Sequence, residues 1–228
     1  LLINEVEEQF HNKDSNAAAE LGYNSQKEKF NLSKLNNKIN IMSGSQAIAQ
    51  GAINSKIDLY VAYPMTPATG VLHELAGKAK EKGFEVFQPE NEIAVVNSGL
   101  GASFTGSKAM IGTSGGGYDL MTEGLSLQGQ SEIPLVVYLC SRPGPGTGVP
   151  TYTSQADLDI ALRGGHGEFP RVVIAPGDPI ECVEKTNEAF FLAEKFKTLS
   201  IVLSDKHLAE SEFSSDRFPN KIISFKVN

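Results

Sequence analysis

The chain has 228 residues, 40% hydrophobic and 21% charged, with a net charge of −7 at pH 7. That length suits one α/β domain with a substantial core plus an appendage. The acidic balance opposes binding to a phosphate backbone, and no window nears the ~18 uninterrupted apolar residues that span a bilayer, so neither nucleic acid nor a membrane is expected as partner.

Residues 1–42 differ in character from the rest. LLINEVEEQF (1–10) fits a short amphipathic helix, but HNKDSN and GYNSQKEKFNLSKLNNK are polar and Asn-rich, so the segment reads as a linker with local structure. No signal peptide is visible. The two cysteines, Cys140 and Cys182, lack metal-ligand spacing and fit a reducing cytoplasm as buried small hydrophobes. With no CxxC pair, the chain has no visible means of holding an iron–sulfur cluster.

From Ser43 the pattern alternates. DLYVAYP, FEVFQPE, KAMIGTS, PLVVYLC, RVVIAP and LSIVLSD are strand-like, and SQAIAQGAI, VLHELAGKAKEKG, NEIAVVNSGLGAS, YDLMTEGLSLQGQ and PIECVEKTNEAFFLAEKF between them are helical. Continuous apolar strands separated by helices predict a doubly wound α/β domain, its sheet mainly parallel with helices on both faces, over residues 43–210. Residues 211–228 read as the start of a continuation.

The unusual residues follow strand ends, where open parallel sheets build ligand sites: YPMTP, QPE, TSGGG and SRPGPGTG. In YPMTP, Pro64 and Pro67 stiffen the loop around Thr66, which suits either a substrate contact or a cap for the next helix. Glu90 and Glu92 in QPENEIA are two residues apart and should point differently. An acid at a helix start is also favourable for the macrodipole, so Glu90 alone does not separate a functional from a stabilising role. Gly112-Thr-Ser-Gly-Gly116 satisfies G-x-S-x-G, so a serine hydrolase with Ser114 as nucleophile, Asp205 and His207 behind it and His166 as another base, stands as an alternative. The competing reading is a glycine-rich turn that lets a cofactor approach the backbone, and it accommodates the other three loops better. Arg142 suits a bidentate grip on a carboxylate or phosphate. GLGASFTG and GASFTGSK miss the dinucleotide and P-loop spacings.

Taken in order, YPMTP, QPENEIA, TSGGGYDLM, EIP and RPGPGTGVPT resemble the alpha subunit of 2-oxoacid:ferredoxin oxidoreductases, in its pyrimidine-binding thiamine diphosphate domain. The likeness runs from about Ser43 to Leu208, and residues 1–42 resemble the connector of chains in which a gamma-type domain is fused ahead of the alpha domain. The resemblance implies that Glu90 is the carboxylate that bonds the cofactor's pyrimidine ring, that Thr66 and Arg142 contact the substrate carboxylate, and that Ser114, Gly115 and Thr147 line the cofactor cleft. Gly146 and Ala68 depart from the family, which usually has small hydroxyl residues there. The implied reaction is oxidative decarboxylation of a 2-oxo acid, with 2-oxoglutarate the leading candidate, to an acyl-coenzyme A, electrons passing to ferredoxin. Mg²⁺ and the diphosphate need a GDG…N arrangement, whereas the one Gly-Asp pair here, Gly177-Asp178, is followed by Pro179. A beta subunit is therefore expected to deliver that half, iron–sulfur clusters to lie on partner chains, and the assembly to be a hetero-oligomer. A non-catalytic scaffold on the same fold is the remaining alternative.

Overall fold

The computed structural model describes residues 2–27 and 38–225 and divides the chain into two compact units, Leu1–Asn37 and Lys38–Asn228. The first unit holds two helices, α1 (Leu2–Phe10) and α2 (Lys13–Asn24). The amphipathic stretch forms α1 as expected. The second helix has no apolar stripe to announce it and buries no residue. It rests on local terms instead: Asn12 caps it by accepting the Asp14 amide at 2.9 Å, and an Ala-rich run has high helix propensity. The polar run 28–37 lies outside the described residues.

The second unit begins with β1 (Asn40–Ser43) and α3 (Gly44–Asn54), followed by β2 (Leu59–Ala62), α4 (Thr69–Lys82), β3 (Glu85–Phe87), α5 (Glu92–Phe104) and β4 (Ala109–Thr113). Then come α6 (Gly115–Ser131), β5 (Leu135–Ser141), α7 (Leu158–Arg163), β6 (Arg171–Ile174), α8 (Pro179–Phe196), β7 (Leu199–Asp205), α9 (Lys206–Glu210) and β8 (Glu212–Ser215). All six strand-like runs are strands, β2 to β7, and they form one parallel sheet in the order β3-β2-β4-β5-β7-β6.

The sheet is buried on both faces because its strands alternate between two cores. Tyr60, Met110, Val136, Tyr138 and Val202 face one core, with residues of α3, α4 and α8. Val61, Ile111, Val137, Leu139 and Ile201 face the other, with residues of α5, α6 and α7. Cys140 and Cys182 are free thiols buried in the first core. Helix starts follow local chemistry. Ser43 and Gln46 form a reciprocal capping box on α3, and Asp178 caps α8 ahead of Pro179 in its first turn. The Gly177-Asp178 pair is thus committed to a helix cap.

β1 and β8 pair antiparallel, Asn40 opposite Ser215, as a separate two-stranded ribbon. The segment after it is strapped to α8 by two buried side chains: Glu184 accepts the Asn220 and Lys221 amides, and Asn187 bonds both the N–H and the C=O of Ile223. Among the described residues no helix is long and apolar enough to cross a membrane.

Candidate functional site

The chain runs from β2 outward to β3 and then crosses back past β2 to β4. This reversal opens a crevice at the carboxyl ends of β2 and β4, the position where open α/β sheets bind ligands. Three loops converge there: residues 63–68 after β2, residues 88–91 after β3, and the turn from Thr113 into α6.

Arg142, at the end of β5, ties a fourth loop to this crevice. Its side chain is 6% exposed, and its two terminal nitrogens donate to the Thr66 carbonyl at 2.7 Å and the Thr147 carbonyl at 2.6 Å. The fork geometry of a guanidinium suits two acceptors on different segments, whereas a lysine would reach one. In the free chain Arg142 is therefore a clamp between loops. Thr66 does not cap α4: the cap position is Ala68, without a side-chain bond, and Thr66 is exposed. Thr147 is exposed as well, and its carbonyl, not its hydroxyl, is held.

The glycines of TSGGG each admit a different group. A β-carbon at Gly115 would lie 2.7 Å from both carboxylate oxygens of Asp157, and one at Gly116 would lie 3.0 Å from the Gly146 carbonyl oxygen. At Gly117 it would lie 2.8 Å from Cγ and 2.9 Å from Oε1 of Glu92, and would also collide with Thr113 Oγ1. The start of α6 is thus a cradle that lets side chains from β4, α5 and the 142–157 loop approach its backbone.

The structure separates the two carboxylates by burial. Glu90 is exposed and makes no hydrogen bond among the described residues, while Glu92 is 4% exposed and sits in the first turn of α5. Asn91 takes the extended N-cap conformation, accepting the Ala94 amide at 2.9 Å, and this turns Glu90 out of the helix. Glu92 falls on the buried stripe Glu92, Val95, Val96, Gly99, Leu100, Ser103, which has helical spacing. That spacing was visible in the sequence and was the signal that could have found it. No described donor bonds the Glu92 carboxylate, so the helix N-terminus is the favourable field acting on it, worth about 0.3–1 kcal/mol in general.

Ser114 is fully buried, and its hydroxyl has no partner among the described residues. A nucleophile elbow needs an exposed serine bonded to a histidine. Neither condition holds among the described residues: His207 Nδ1 faces Ser211 Oγ at 3.3 Å, and Asp205 accepts from Gln155, Thr153 and the Leu208 amide. The His166 amide bonds Ser126 Oγ at 2.6 Å. Sequence reading also missed Asp157, whose Oδ2 is buried without a partner, and Thr113, whose burial required the sheet.

Residues 50–225 match the family described as pyruvate flavodoxin/ferredoxin oxidoreductase, thiamine diP-bdg. The chain is 39% identical over 229 aligned residues to a 2-oxoacid:ferredoxin oxidoreductase subunit alpha of Saccharolobus solfataricus, covering 92% of this chain and 36% of that one. It is 39% identical over 177 residues to the 2-oxoglutarate synthase subunit KorA of Archaeoglobus fulgidus, covering 76% and 51%. Among solved structures, a 2-oxoglutarate:ferredoxin oxidoreductase from Magnetococcus marinus, with 2-oxoglutarate, coenzyme A and succinyl-CoA bound, superposes with a TM-score of 0.85 at 34% identity. That match covers 95% of this chain and 40% of the other. The chain thus spans about a third to a half of the length of these relatives.

Proposed function

The chain belongs to the pyruvate flavodoxin/ferredoxin oxidoreductase family, in its thiamine diphosphate-binding domain, and on that premise we propose that it supplies the pyrimidine-binding half of a 2-oxo acid oxidoreductase site, with Glu92 rather than Glu90 as the working carboxylate. The observation that carries this is a buried carboxylate with no donor among the described residues, set against a glycine on which any side chain would displace it.

The residues present fit the cofactor. Glu92 offers an acceptor to a ring nitrogen, the Ser114 hydroxyl is an unpartnered polar group at the start of α6, and the glycines of the cradle allow a flat ring close to the backbone. When bound, thiamine diphosphate supplies an electron sink for cleaving the bond between a keto carbon and its carboxylate. Glu92 holds or shares a proton at the pyrimidine nitrogen, and its enclosure keeps water from competing for that bond. Arg142 fixes the Thr66 and Thr147 loops, and its three remaining N–H groups and the Thr66 hydroxyl are the donors that meet the substrate carboxylate.

The substrate is a 2-oxo acid, with 2-oxoglutarate favoured by the named relatives and by the bound neighbour, and coenzyme A takes the acyl group while ferredoxin accepts the electrons. A beta subunit brings the diphosphate and Mg²⁺ half, and partner chains carry the iron–sulfur clusters in a hetero-oligomer. This reading is supported by Asp178 being a helix cap, and by two free buried thiols that suit the cytoplasm.

The test is a pair of variants in the chain assembled with its complementary subunit. Glu92→Gln should lower turnover by about 10²–10⁴-fold, the usual worth of positioned proton transfer, and should slow hydrogen–deuterium exchange at the cofactor's C2. Glu90→Gln should change both by less than about threefold, as expected for an exposed side chain away from the chemistry. The reverse ranking would return the role to Glu90, and no effect of either would favour a scaffold.

A further inference from the structure

Thr113 ends β4 fully buried, and it is the one polar side chain in that strand. The fold makes poor use of its hydroxyl. It donates to the Ser114 carbonyl at 3.3 Å, long for an O–H···O bond, and that carbonyl already accepts the Tyr118 amide at 2.9 Å. Its other acceptor is Met65 Sδ at 3.9 Å, and a thioether is a weak one. A buried hydroxyl satisfied this loosely costs stability, while a valine would keep the β-branched shape that suits a strand. Packing and the strand's own hydrogen bonds therefore give no reason for an oxygen at this position.

The oxygen does have a carboxylate for a neighbour. A β-carbon built on Gly117 would collide with Thr113 Oγ1 and would lie 2.9 Å from Glu92 Oε1, so the two oxygens flank one point and lie within about 5 Å of each other. Ser114 Oγ, also buried, is not among the nearest atoms at that point. The last torsion of a glutamate is broad and roughly two-fold, so burial alone does not fix which carboxylate oxygen faces which way. A hydrogen-bond donor on one oxygen would fix it.

We propose that Thr113 is a positioning residue for Glu92: its hydroxyl turns from its two weak acceptors to donate to Oε1, which presents Oε2 to the pyrimidine nitrogen. The oxygens need to approach by about 2 Å at most to reach O–H···O distance, a movement open to the Glu92 side chain through its torsions. The inference rests on Glu92 being the carboxylate that meets the cofactor, and it adds what orients that carboxylate.

The experiment compares Thr113→Val and Thr113→Ser in the chain assembled with its complementary subunit, with Glu92→Gln as the reference. Thr113→Val should slow hydrogen–deuterium exchange at the cofactor's C2 about 10–100-fold, the scale of one hydrogen bond to a charged group. KM for the 2-oxo acid should stay within about twofold, since the lost bond serves the reacting centre and not substrate binding. Thr113→Ser keeps an oxygen donor and should restore exchange to within about fivefold of the parent. Infrared difference spectra against Glu92→Gln, taken with cofactor bound, should show the Glu92 carboxyl band displaced in Thr113→Val and unmoved in Thr113→Ser. In urea, the unfolding midpoint of the Thr113→Val chain should equal or exceed the parent's. Slow exchange in Glu92→Gln with parental exchange in Thr113→Val overturns this proposal and leaves Glu92 in its role. A serine variant as slow as the valine one, or a lowered midpoint in both, marks a packing role and overturns it as well. Parental exchange in Glu92→Gln removes the placement of Glu92, and this inference with it.

Discussion

Gly117→Ala isolates the link between packing at the start of α6 and the Glu92 carboxylate. The new methyl would meet Glu92 Cγ at 2.8 Å, Oε1 at 2.9 Å and Thr113 Oγ1, so the glutamate must move. The neighbouring backbone is also closely approached, since a β-carbon on Gly116 would lie 3.0 Å from the Gly146 carbonyl oxygen. Overpacking of a filled site costs about 1–3 kcal/mol, while alanine in place of glycine within a helix returns about 1 kcal/mol. The net loss of stability should therefore be small, about 0–2 kcal/mol, measured by urea unfolding. Function should suffer far more, since displacement of a catalytic group by about 1 Å costs on the order of 10²-fold in rate. Gly101→Ala provides the contrast: it lies within α5, exposed, with nothing within 4 Å of the added carbon, and should stabilise by about 0.5–1 kcal/mol with unchanged turnover. Turnover of Gly117→Ala within about threefold of the parent, at equal cofactor occupancy, would refute the placement of Glu92.

Two further outcomes follow from the loops around the sheet's carboxyl edge. Arg142→Met leaves the Thr66 and Thr147 carbonyls without their donor and should cost about 2–4 kcal/mol. It should also speed proteolysis within residues 143–157, and a loop cleaved no faster than in the parent would refute the clamp. For Asp205, partial burial pushes the carboxyl up, but hydrogen bonds from Gln155, the Leu208 amide and Thr153 outweigh it and hold the group below the ordinary range. With the folded value depressed, its contribution is present above the unfolded pKa near 3.8 and is lost as pH falls through the lower folded value. The difference in Tm between the parent and Asp205→Asn should therefore shrink as pH falls below 3.8, and a constant difference would contradict the assignment.

The sequence by itself determined the parallel sheet. Six apolar runs separated by helical segments leave few other ways to bury both faces of each strand, and all six became β2 to β7. It also placed the distinctive loops at one edge, because a parallel sheet puts every strand's carboxyl end on the same side. Local chemistry marked the starts of α3 and α8, where capping involves residues only a few positions apart. It did not mark β1 and β8, which acquire strand character only by pairing across the whole domain, Ser43 against Glu212.

Tertiary structure decided which side chains meet. Arg142 looked like a hand for an anion, and its partners turned out to be two carbonyls, one of them 76 residues earlier. For Glu90 and Glu92 the lesson is more instructive: order along the chain does not say where a helix begins. Asn91 sets that point, and a shift of two residues rotates a carboxylate from solvent onto the buried stripe. The glycine that makes room for Glu92 lies 25 residues further on, in α6, so their meeting belongs to the crossover of the sheet and to nothing local.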